Sequence, residues 1–131
     1  MKVVDFQMMD VGSPLKDLAY FLFGSATPEA LDHLDELLNF YHEALLEMLI
    51  NLNCDVSPYS KDNFELQLQK DCSMEFFHCV TALKYCTFDI DENTDLSNMT
   101  ATIMRGENNS LFMNRLWKIV CIFLEKNWLL N

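Results

Sequence analysis

Between Leu31 and Leu52 large apolar residues return by threes and fours: Leu31, Leu34, Leu38, Tyr41, Leu45, Leu49 and Leu52. That spacing stacks them on one side of a helix, while Asp32, Asp35, Glu36, Asn39, Glu43 and Glu47 mostly occupy the remaining arc. The stretch must therefore pack one face against other elements and leave the opposite face wet. A coiled-coil seam is the sharper alternative, but a single uncapped stretch of about three heptads suits a bundle helix better.

The flanking residues supply starts and stops. Ser13-Pro14 pairs a capping hydroxyl with a proline whose fixed φ suits the first helical position, so a helix is expected from Pro14 to about Phe23, ended by Gly24 and Ser25. Thr27-Pro28-Glu29 repeats the signal, and the second helix should run from Pro28 to about Leu52 with His33 and His42 on its surface. Ser60 can cap a third helix, and a fourth is expected from Ser73 to about Thr87, with the join between them left open. Phe88 to Asn109 reads as a surface loop with one helical turn near Leu96 to Met104. Its acids, Asp89, Asp91, Glu92 and Asp95, lack the glycine and glutamate spacing of a calcium loop. Ser110 to about Trp128 closes the chain as an amphipathic helix.

The formal charge is −11, which argues against nucleic acid, whose phosphates need a basic face, and equally against an anionic membrane surface. No stretch of about eighteen apolar residues could span a bilayer and no signal peptide opens the chain, so a cytoplasmic protein is expected. The five cysteines lack the pairing of a disulfide scaffold or a Cys-x-x-Cys zinc site. Cys72, Cys79 and Cys86, seven apart, should share one buried helix face. His78 beside Cys79 does not complete a metal shell, because neighbouring residues on a helix point apart.

The first seventeen residues stand out from this helical scaffold. Val3-Val4-Asp5-Phe6 has the composition of a short strand that ends on an acid, and a carboxylate there needs a metal ion or a cationic partner unless it points into water. Asp17 lies within Leu15 to Phe23, a run with no obvious polar face, so its oxygens should be met by backbone or side-chain donors.

The runs Val3-Val4-Asp5-Phe6-Gln7, Gly12-Ser13-Pro14 and Asp17-Leu18-Ala19-Tyr20-Phe21-Leu22 resemble the ecdysteroid kinase-like, or choline-kinase-like, phosphotransferases of arthropods. These are part of the aminoglycoside phosphotransferase and protein-kinase-like superfamily. Arg115-Leu116-Trp117 to Leu129-Leu130 is similar to the family's C-terminal helix. The resemblance implies a mainly α fold, the helical C-terminal subdomain of a protein-kinase-like fold with one short N-terminal strand. It implies that Asp5 is the metal ligand that holds Mg²⁺ against ATP, and that Asp17 is the structural acid supporting the catalytic loop.

On that reading residues 1–131 form a single partial domain, with the N-lobe and catalytic loop absent. With Gly12, Gly24 and Gly106 as the only glycines no glycine-rich loop can be drawn, and no catalytic residue, nucleotide lysine or His-Gly-Asp motif is recognisable. The chain is expected to be inactive alone and to bind neither ATP nor Mg²⁺ tightly. It would meet a small-molecule substrate, with a hydroxyl as acceptor, only together with the missing part. Tyr20, Phe76, Phe77 and Trp117 are the candidates to line that pocket. Exposed apolar surface should lead to self-association. Two other readings stand beside this one: a non-catalytic helical interaction module, and a small bundle whose resemblance is accidental.

Overall fold

In the computed structural model, residues 11–90 and 97–129 are described. They form six α-helices: α1 (Pro14–Ser25), α2 (Pro28–Leu31), α3 (Leu34–Asn51), α4 (Lys61–Thr87), α5 (Met99–Arg105) and α6 (Ser110–Glu125). One 3₁₀ turn, Ser57–Tyr59, leads into α4. Among the described residues there is no strand, and the expected strand Met1 to Phe6 lies outside them. The mainly α reading holds.

Local chemistry explains most helix starts. The hydroxyls of Ser13, Thr27 and Ser60 accept from the backbone N–H groups of Leu15, Ala30 and Asn63 at 3.2, 3.3 and 3.4 Å. Asn98 and Asn109 do the same for α5 and α6, with Oδ1 accepting from Ala101 and Phe112. Each cap satisfies one of the donors that a helix N-terminus leaves free.

Two asparagines end helices. Asn53 and Asn127 both have φ 54°, the left-handed conformation that asparagine tolerates better than most residues. After α6, Asn127 N–H donates to Leu124 and Trp128 N–H to Phe123, so the chain folds back and Trp128 is buried against the core. The final helix thus stops at Glu125, short of Trp128, because the left-handed turn is worth a buried indole.

α4 is the axis of the molecule, and its 27 residues run unbroken through the join that the sequence left open. α1 lies along it. Leu15, Ala19, Leu22 and Phe23 face inward, and small residues set the approach: Cys79 Sγ donates to the Ala19 carbonyl at 3.5 Å. A Cβ on Gly24 would stand 2.9 Å from the Ala82 Cβ. α6 closes the third side. Phe123 sits edge-on to Phe23, Phe76 and Trp128, with centroids 4.9, 5.0 and 5.4 Å away.

Three expectations about this scaffold need correction. The helix expected from Pro28 to Leu52 breaks at Asp32-His33, where Lys118 of α6 pairs with Asp32 and Lys126 with Asp35, and both Leu31 and Leu34 reach the core. His42 is buried: its ring lies 4.6 Å from that of Phe64, and Nε2 is 2.8 Å from the Tyr59 carbonyl oxygen. Cys72 and Cys79 are buried as expected, but Cys86 is exposed. A straight helix drifts by about 20° per heptad, so a seven-residue repeat walks off the buried face.

Candidate functional site

Asp5 lies outside the described residues. The other acid singled out by the sequence, Asp17, sits in the first turn of α1, where the positive end of the helix dipole favours a carboxylate. Its side chain is exposed, contrary to the expectation of a buried acid. The reason is helical geometry. With Leu15, Ala19, Leu22 and Phe23 turned toward α4, residues 17, 20 and 21 fall on the outer side, which leaves Tyr20 and Phe21 half or more exposed as well.

Asp17 nonetheless reaches a neighbouring element. The phenol of Tyr41 on α3 has its pKa raised, first by burial and second by the Asp17 carboxylate. This links the outer side of α1 to the flank of α3. No hydrogen bond to the Asp17 carboxylate is made among the described residues.

A cleft of about 480 Å³ opens beside the start of α1, lined by Ser13, Leu15, Leu45, Tyr59, Gln67 and Lys70 among others. Its walls offer one cation, Lys70, two amides, Asn63 and Gln67, and an apolar floor. Tyr20, Phe76, Phe77 and Trp117 do not line it: Phe76 packs on Phe123 in the core, and Phe77 and Trp117 are 79% and 69% exposed. A larger groove of about 890 Å³ runs between α3, α4 and the end of α6. Its lysines are engaged, Lys61 with Asn39 and Glu65, and Lys126 with Asp35.

Among the described residues no three His, Cys, Asp or Glu side chains stand together as a cation shell. Asp17 is therefore the one described member of the implied metal and loop apparatus. A magnesium ion keeps several waters and needs carboxylates or phosphates together, which one exposed carboxylate does not supply. The described residues do not by themselves fit the ion.

Among the described residues, three buried ionisable groups escaped sequence reasoning. Lys84 is buried, and its ammonium donates to the carbonyl oxygens of Gly106 and Glu107 at 2.8 and 3.2 Å and to Asn108 Oδ1, 5.3 Å above the Phe112 ring. All three donors are satisfied, so the group fastens the α5–α6 connection to α4. Asp71 is 1% exposed; Gln67 Nε2 donates to one of its oxygens at 2.9 Å, and the other has no partner among the described residues. His42 is the third, and no spacing rule distinguishes it from a surface histidine.

Burial disfavours the thiolate form of both buried cysteines. Burial, with help from the Glu75 carboxylate, pushes the Cys79 thiol up to about 12, and burial raises the Cys72 thiol further, aided by Cys79 and Asp71. The Glu75 side chain is itself held between Lys16 of α1 at 3.8 Å and His78 at 2.6 Å.

Residues 1–54 match the family model described as the ecdysteroid kinase-like family. The matched span contains Asp5, Asp17, α1, α2 and α3. No curated protein and no solved structure matches the chain.

Proposed function

We propose that this chain is the C-terminal part of an ecdysteroid kinase-like protein, whose intact form phosphorylates a hydroxyl of a small molecule, ecdysteroid-like in shape, using ATP and Mg²⁺ in the cytoplasm. The observation that carries the reading is the family match over residues 1–54, the same span that holds the Asp5-Phe6-Gln7 run and the capped helix bearing Asp17. In this reading Asp5 is the metal ligand. Asp17, held at the N-terminal end of α1 by the Ser13 cap and the rigid φ of Pro14, is the acid that receives the backbone of the catalytic loop. An exposed carboxylate at a rigid helix start suits that task, because its oxygens are free to accept from another segment.

The 131 residues hold no glycine-rich loop, nucleotide lysine or catalytic aspartate with its asparagine, the parts that position and neutralise a triphosphate. By itself the chain is an inactive remnant. Purified protein incubated with ATP and Mg²⁺ is expected to release no ADP above background. Turnover that disappears in Asp5→Asn would overturn the inactivity. The coding sequence upstream of Met1 tests the remainder: an open frame with a His-Gly-Asp loop and a glycine-rich strand pair supports an enzyme tail, and a stop codon in a proper start context opposes it.

A further inference from the structure

α3 carries a second apolar face besides the one it buries. Leu34, Leu38 and His42 point into the core, whereas Leu37, Phe40, Ala44 and Met48 are exposed, Phe40 at 72% and Met48 at 62%. These four recur at i, i+3, i+7 and i+11, which gathers them into an arc of about 80° and a strip of about 17 Å along the axis. Glu36, Glu43 and Glu47 form the next row round the helix, within about 40° of one another and directly beside Phe40.

All three glutamates are exposed. Glu36 has only His33 beside it, at 3.4 Å, and Glu43 and Glu47 have no ion pair among the described residues. On the opposite border lies Tyr41, close enough to Asp17 for that carboxylate to raise its phenol's pKa. Tyr20 and Phe21 share the outer side of α1 with Asp17 and add apolar surface beyond it. The strip is thus bounded by carboxylates on both sides, none of them paired with a lysine or arginine among the described residues.

From this arrangement we infer that the outer flank of α3 is a docking surface for an amphipathic helix of a partner protein, one whose apolar stripe is bordered by lysine or arginine. Apolar anchors spaced by threes and fours are how a helix is read in a shallow groove, and the flanking acids select the sign of the partner. A second copy of this chain is the poorer occupant, since it would bring Glu36, Glu43 and Glu47 and a net charge of −11 against the same. The apolar strip itself lies on α3, with Asp17 of α1 on one border, and its test requires no ATP turnover.

The test uses the whole chain and two labelled peptides of about fifteen residues, long enough to turn helical on binding. One has leucines at helical spacing bordered by lysines, and the other has glutamates in place of the lysines. The lysine peptide should bind at least about tenfold more tightly, a preference that falls as salt is raised. Phe40→Ser, at an exposed position, should keep the helical circular dichroism and weaken that peptide at least about tenfold. Glu43→Lys with Glu47→Lys should reverse the preference. Three results would overturn the proposal: no difference between the peptides or no binding of either, binding indifferent to Phe40→Ser, or sedimentation showing a dimer that Phe40→Ser dissolves.

Discussion

The rings of Phe23 on α1 and Phe123 on α6 meet edge-on, 4.9 Å between centroids, and each is no more than 1% exposed. Through this pair the first and last helices are joined, with Trp128 completing the cluster from beyond α6. Phe123→Ala should cost about 3–5 kcal/mol, since a phenyl cavity in a packed core relaxes only in part. Trp117→Ala on the outside of the same helix should stay within about 0.5 kcal/mol. Urea titration of the two variants checks the contrast.

Gly24 lies against Ala82 so closely that an added Cβ would be 2.9 Å from the alanine methyl. Gly24→Ala should therefore push α1 off α4 and destabilise by about 1–3 kcal/mol, despite alanine's better helix propensity. The Gly24→Ala, Ala82→Gly double variant should recover part of that loss, and a double-mutant cycle by thermal denaturation measures the coupling.

Lys84 holds two carbonyls and one amide oxygen of residues 106–108. Lys84→Met removes their donor while keeping most of the stem's volume, with an expected loss of about 1–3 kcal/mol. Hydrogen exchange should quicken between Arg105 and Asn109, while α1 stays protected. Gly106→Ala should disturb the same place by another route, because a Cβ there would lie 2.6 Å from the Phe88 ring.

The raised thiol pKa of Cys79 has a definite sign in pH dependence. In the unfolded chain the thiol loses its proton near pH 8.5, whereas in the fold it keeps it to about 12. The contribution to stability is complete below about pH 8.5 and is lost as pH rises from there towards 12, because the unfolded state is the one that sheds the proton. Cys79→Ala should flatten the fall in denaturation midpoint over that window. In the native state a thiol reagent at neutral pH should label exposed Cys54 and Cys86, and reach Cys72 and Cys79 only on unfolding.

Local chemistry made much of this chain legible in its residues. Ser13-Pro14, Thr27-Pro28 and Ser60 are capping signals that act over three or four residues, so each begins a helix whatever the rest of the chain does. The period of threes and fours likewise announced α3 and α6. Of the candidate site, the place of Asp17 in a first helical turn follows from the same local rules, and the family match over residues 1–54 covers the N-terminal runs of the resemblance but not Arg115 to Leu130.

Burial was decided elsewhere, because it depends on which face meets a neighbour. Asp17 looked buried among apolar residues and is exposed, since α1 spends its contact with α4 on Ala19 and Phe23. His42 looked like a surface residue and Lys84 gave no signal of burial in the sequence, yet both are buried with oxygens from segments 17 and 22 to 24 residues away. The break at Asp32-His33 falls beside Lys118 and Lys126, which come from the far end of the chain. Periodicity reports that a helix has an apolar side, and only the packed neighbours determine which polar groups find partners there and which apolar ones, such as Phe40, are left outside.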